Sequence, residues 1–183
     1  MLTTWILIAV AIILAATFFI YYNRFVRLAQ QIDNALSQID VQLRKRSDLI
    51  PNLLSAVKGY MKHEEGVLTK VTEARAAAMG AKGLGDKAKA ENMLSETLKS
   101  LFAVSESYPD LKASQNFLQL QDEISDTENK IQASRRFYNG QVRDFNTKIQ
   151  TFPNNMVAGM LRFTKFEFFE ADESEKENIE VKL

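Results

Sequence analysis

The 183-residue chain has no cysteine, one histidine, one tryptophan, three prolines and seven glycines. Without cysteine there is no disulfide, no thiolate nucleophile and no Cys-based zinc site. With so few breakers, long uninterrupted elements are expected, and the abundance of Ala, Leu, Glu, Lys and Gln favours helix. The 23 basic and 23 acidic side chains cancel, which argues against nucleic acid as a partner, since such binders carry a basic excess. His63 precedes Glu64 and Glu65. HEE is not the HExxH spacing, and no second histidine completes a zinc site. His63 therefore reads as a solvent-facing helix residue. Gly80, Gly83, Gly85 and Lys87 fail as a phosphate loop, because no GK[ST] follows and no strand precedes. The expectation is a non-enzyme with no cofactor and no metal.

What the chain does have begins at once. Residues 1–22 contain no charged side chain. As a helix they would be roughly 33 Å long, against a hydrocarbon core of about 30 Å. Trp5 sits near one end and Tyr21 and Tyr22 at the other, as an aromatic belt requires. A cleaved signal peptide is the alternative. Against it stand the missing basic n-region and the A-x-A motif at Ala9–Ala11, which lies inside the run with Ile12, Ile13 and Leu14 after it. The reading is a retained transmembrane helix, 1–22, whose partner is the lipid bilayer. Arg24 and Arg27 follow it, and then Arg44, Lys45 and Arg46. The positive-inside rule predicts a single-pass protein of the cell (inner) membrane, with the N-terminus outside and the C-terminal domain cytoplasmic.

Residues 23–153 are expected to form a helical bundle. Phe25, Leu28, Ile32, Leu36, Ile39, Leu43, Ile50, Leu53 and Val57 follow helical spacing. Arg46 occupies a position on this stripe, and Pro51 follows five residues later. Continuous periodicity on both sides predicts a kink at Pro51 rather than a corner. The stripe resumes through Leu54, Val57, Met61, Leu68, Val71, Ala74 and Ala78, and the glycines at 80–85 mark a loop. Another helix is expected from Asp86 as N-cap to about Ser107, stopped by Tyr108-Pro109. The last is read as one long helix, Asp110 to Thr151, with Phe117, Ile124, Ile131, Tyr138, Phe145 and Phe152 recurring every seven residues. Its other seam positions are Gln121, Glu128, Arg135, Val142 and Ile149. If Glu128 and Arg135 face the bundle they need partners, because an unpaired buried charge is very costly. Arg46 is the natural candidate to meet them. Arg46, Glu128, Arg135, Tyr138 and Asn139 are thus either a polar layer that fixes helix register or the lining of a partner groove.

Pro153 ends the bundle. Residues 154–169 are aromatic and apolar, and are expected to pack into a bundle groove or return to the membrane surface with Arg162 and Lys165 at the head groups. Residues 170–183 carry six carboxylates against Lys176 and Lys182, and read as a disordered acidic tail. The expected class is all-α: an N-terminal transmembrane helix followed by a long-helix antiparallel bundle of about four helices.

Three stretches in order carry a resemblance: YNRFVRLAQQIDNALSQIDVQLRKRSDLIPNLLSAVKGYMKHE after the span, then VTEARAAA, then YPDLKASQNFLQLQDEISDTENKIQASRRFYNGQVRDFNTKIQTFP. With the closing AGMLRF…FFEA, the chain resembles the LemA family over nearly its whole length. The resemblance implies a membrane-anchored helical bundle and supplies no catalytic residues. The family pattern has glycine where this chain has Arg162. One branch of the family acts in magnetosome membrane formation, but nothing beyond the shared pattern points to that branch. Of three functional readings the first is the expectation. The first is a scaffold or interaction module, self-associating and with further membrane or cytoplasmic protein partners. The second is an accessory subunit of a membrane enzyme such as a protease, or a membrane-remodelling protein. The third is a hydrolase or transferase using Glu128, Arg135, Tyr138 and Asn139, which lacks an evident nucleophile or tuned base.

Overall fold

The computed structural model describes residues 1–169, so the acidic tail expected at 170–183 lies outside the described residues. Every regular element among them is helical: α1 (Leu2–Lys58), α2 (Glu65–Gly80), α3 (Leu84–Ser105), α4 (Pro109–Lys112), α5 (Gln115–Lys148) and α6 (Asn154–Met160). The all-α class with one long apolar N-terminal helix is as expected. The long helices are α1, α2, α3 and α5; α4 and α6 add only one turn and two. The chain divides into two compact units. Among the described residues, one is Met1–Leu36 with Phe137–Phe168; the other is Ser37–Arg136 with Phe169.

In the first unit, the start of α1 is long and apolar enough to cross a membrane, and none of that window is buried. Phe25, further along α1, is enclosed by protein. It meets Phe145 of α5 edge-on at 6.2 Å between ring centroids and Phe163 at 5.4 Å. Phe166 stands edge-on to Phe145 at 5.0 Å. Such pairs add about 0.5–1.5 kcal/mol each beyond the area they bury. The segment after α6 is thereby held along α5. Asn146 fastens it with its amide, which donates to the Phe166 carbonyl (2.9 Å) and accepts from the Phe166 N–H (2.9 Å).

In the second unit, one core joins Ile50, Leu53 and Val57 of α1, Val71 and Ala74 of α2, Leu94, Leu98 and Leu101 of α3, and Phe117 and Ile124 of α5. Full burial of the Ile, Leu, Val and Phe side chains stabilises by about 1.5–3 kcal/mol each. α2 and α3 pack on each other across a short loop. Gly83 has φ +86° there, a conformation glycine adopts without a Cβ clash.

α1 runs through Pro51 without ending. Proline has no N–H, so the carbonyl of Ser47, four residues back, loses its helical donor. The Arg75 side chain of α2 supplies one instead, with Nε donating to the Ser47 carbonyl at 2.8 Å.

Three boundaries depart from expectation. The stripe read through Leu54 to Ala78 is broken at Gly59–Glu64, where glycine and a tightened last turn end α1. The N–H groups of Tyr60 and Met61 both donate to the Val57 carbonyl. Met61 stays on the stripe because it plugs the core from the turn. His63 is exposed in that turn, not on a helix. The helix read as Asp110–Thr151 is two, because Ser114 interrupts after α4 and its carbonyl begins α5 by accepting from Leu118; serine favours this N-terminal boundary role. α3 begins two residues before Asp86, which places that carboxylate in the first turn, where the helix dipole favours it.

Candidate functional site: a buried charged layer

Along α1 the inward positions run Ile39, Leu43, Arg46, Ile50 and Leu53. Helical spacing therefore forces Arg46 inward, and it is 0% exposed. Nη2 donates to the Glu91 carboxylate and to the Glu91 carbonyl (3.2 Å). Nη1 donates to the Glu128 carboxylate and to Ser95 Oγ (2.6 Å). One guanidinium thus ties α1 to α3 and α5. Its fork geometry is what permits four contacts from two nitrogens; Nε is left without a partner.

Ser95 extends the network. Its hydroxyl lies 3.1 Å from the Glu91 carbonyl and 3.1 and 3.2 Å from the two Glu128 carboxylate oxygens. Having one proton, it serves one of these at a time. Gln132, one turn along α5, donates to Glu128 at 3.2 Å. Burial pushes the Glu128 carboxyl up, but the Arg46 charge and the hydrogen bonds from Gln132, Arg46 and Ser95 outweigh it and hold the group below its ordinary value. A carboxylate held low is anionic at neutral pH, which makes it a poor general acid and a weak base. The Glu128 side chain keeps 25% exposure and so retains some hydration, whereas Glu91 is nearly enclosed.

Arg135 belongs to the same unit but to different company. It is buried; Nη1 donates to Asn92 Oδ1 of α3 at 2.6 Å, and the guanidinium lies 4.8 Å from the centroid of the Phe169 ring. Tyr138 lies in the other unit. Its hydroxyl donates to the Glu167 carbonyl at 2.8 Å. Burial, reinforced by the Glu167 and Asp33 charges, pushes the phenol above its ordinary value, so it remains a proton donor to that carbonyl. Asn139 is half-buried in the same unit as Tyr138. Of the five residues singled out in the sequence, the structure brings Arg46 and Glu128 into direct contact. Arg135 and Tyr138 serve separate anchoring roles.

Sequence reasoning missed Glu91 and Ser95. Glu91 precedes Leu94 by three and Leu98 by seven, so it extends the α3 stripe by one turn. A glutamate at a stripe position is the same signal that marked Arg46. Asn92, Asn146 and Arg75 were missed too, since each satisfies a group whose need arises only in the folded chain.

Beside the layer, a cleft of about 430 Å³ opens among α1, α2 and α3. Asp40, Ser47, Ala78 and Lys87 line it, with Glu91 from the layer itself. Lys87 pairs with Asp40 across it at 2.6 Å. Val41 and Met79, also in its wall, are both well exposed. Among the described residues no cluster of His, Asp or Glu has the arrangement to hold a metal ion.

The LemA family profile matches residues 35–183, which covers the layer, the cleft and the anchoring asparagine. Protein LemA of Metamycoplasma hominis is 32% identical over 170 residues, covering 90% of this chain and 77% of that relative. Magnetosome protein MamQ 2 of Paramagnetospirillum magneticum is 23% identical over 181 residues, covering 85% of this chain. Magnetosome protein MamQ of Magnetospirillum gryphiswaldense is 22% identical over 179 residues, covering 84%. The chain spans 66% of the length of each of these two magnetosome relatives. With an apolar N-terminal helix, a helical bundle and a family match over most of its length, this membrane-associated chain belongs to the LemA family.

Proposed function

We propose that this protein is a non-catalytic, membrane-tethered interaction module. Residues 1–22 cross the bilayer, the bundle lies on the cytoplasmic side, and its exposed faces engage protein partners, including further copies of the chain. The observation that carries this reading is the use made of the buried charges. Arg46, Glu91 and Glu128 neutralise and hold one another across three helices, an arrangement that sets register and stiffness and leaves no poised acid or base. Exposed Val41 and Met79 beside the cleft support a contact surface of modest size.

Crosslinking and mass measurement of the full chain extracted in mild detergent test this. The expected result is a defined oligomer that Val41→Glu with Met79→Glu weakens without loss of helix content. A strict monomer from native membranes, with no stoichiometric partner, contradicts it. Reporters fused at the C-terminus test the orientation; cytoplasmic activity is expected.

A further inference from the structure

We propose that α6 and the turn before it form a second membrane contact, lying in the head-group layer beside the span and binding phospholipid. Three observations within the first unit converge on this. First, α6 is apolar on opposite sides. Ala158 is buried and Val157 and Leu161 are half-buried, while Phe152, Met156 and Met160 are 79%, 63% and 74% exposed. Met156 and Met160, four residues apart in α6, share one side, and Phe152 is exposed in the turn that precedes the helix. A short helix with one apolar side on protein and another facing water leaves a large apolar surface uncovered, which soluble surfaces avoid.

Second, the level of α6 relative to the span is fixed by a packed contact. α6 closes in a turn where the Phe163 N–H donates to the Ala158 carbonyl and the Arg162 N–H to the Gly159 carbonyl. Phe163 then docks on Phe25. Phe25 follows Tyr22, the end of the uncharged run, by three residues. That is about 4–5 Å of helical rise, while the head-group region adds roughly 5–8 Å on each side of the hydrocarbon core. A segment pinned at Phe25 is therefore pinned at the head groups.

Third, the charge fits. Arg24, Arg27, Arg162 and Lys165 are exposed in this unit near the same level, although the chain as a whole is neutral. Exposed Met and Phe side chains together with cations are the composition of an interfacial anchor. The occupant is the bilayer that α1 crosses, so this inference rests on α1 spanning it.

The absence of cysteine makes the test direct. Met156→Cys, Met160→Cys and, as a control in the other unit, Lys130→Cys are each labelled with an environment-sensitive fluorophore on the full chain. The chain is reconstituted in vesicles of mixed zwitterionic and anionic phospholipid. Because all three positions are exposed, the labels do not perturb the core. Labels at 156 and 160 should shift to the blue and lose most of their emission to lipids carrying a nitroxide near the glycerol, and less to a nitroxide at the chain end. The label at 130 should do neither. Labels at 156 and 160 that match 130 in chain floating with the vesicles overturn the proposal. So does protection that depends on protein concentration but not on nitroxide lipid, which assigns the surface to a second copy. A chain that does not float with vesicles refutes the span itself, a different failure.

Discussion

Arg75 donates its Nε proton to the carbonyl of Ser47, the one group in α1 that Pro51 deprives of its helical donor. Proline inside a helix costs about 3 kcal/mol or more, partly through that lost hydrogen bond. α2 thus repairs α1 from outside, and the repair ties the two helices at the level of the break. Arg75→Met should destabilise by about 1–3 kcal/mol, the cost of a desolvated carbonyl without a donor. In a Pro51→Ala background the backbone supplies its own N–H, so the same substitution should cost clearly less. Denaturant unfolding of the four proteins in the double-mutant cycle measures the difference; equal costs in both backgrounds would dissociate Arg75 from Pro51.

Asn146 uses both ends of its amide on the backbone of Phe166. Asn146→Ala leaves two buried-edge backbone groups to water and should loosen residues 163–169 by about 1–3 kcal/mol. Asn146→Asp keeps the acceptor but sets a buried carboxylate oxygen against the Phe166 carbonyl, so it should cost at least as much. Amide hydrogen exchange reads this locally. Unchanged protection at Phe166 in the alanine variant would show that the aromatic contacts alone hold the segment.

Arg162 sits at φ +57°, in the position that follows the α6 C-cap where glycine is the usual occupant. This turn forms here with an arginine, at a steric cost of about 1 kcal/mol. Arg162→Gly should therefore leave stability unchanged or raise it by up to about 1 kcal/mol, since glycine also widens the unfolded ensemble. Arg162→Val should lower it, because a β-branched residue is least tolerant of positive φ. A valine variant as stable as the glycine variant would refute this ranking of the turn residues.

Glu128 makes the layer sensitive to acid. Its folded value lies below the ordinary 4.5, so its stabilising effect is complete above pH about 4.5 and is lost as pH falls through the lower folded value. In Glu128→Gln that part of the acid loss should disappear, leaving a shallower decline below pH 4.5. Identical acid profiles for the two proteins would mean that other carboxylates carry the effect.

Much of the fold is legible in the sequence for one reason: periodicity. A charged side chain at an inward position, such as Arg46 or Glu128, announces a buried partner from its spacing alone. The identity of that partner is half-legible. Glu91 sits on the α3 stripe by the same rule, but its neighbour Ala90 begins an apolar series with Leu94 and Leu98 equally well. Helix ends are less legible. Gly59 and Ser114 are weak boundary markers, and the turn that ends α1 at Gly59 is held by Met61 entering the core, a tertiary event. The role of Arg75 leaves no trace in the pattern at all. A surface-type residue at a half-buried position becomes informative only once a proline has left a carbonyl open nearby in space.

The central claim is that Arg46 is a structural tie among three helices. The direct measurement is denaturant unfolding of the full chain in detergent, comparing Arg46→Met, exposed Lys45→Met, and the triple variant Arg46→Met/Glu91→Met/Glu128→Met. Removing Arg46 alone takes the counter-charge from the enclosed Glu91 and the partly exposed Glu128 and should cost about 3–5 kcal/mol, while an apolar replacement of the whole layer should recover most of that loss. Lys45→Met should change stability by no more than about 0.5 kcal/mol. An Arg46→Met effect no larger than that of Lys45→Met would contradict the account.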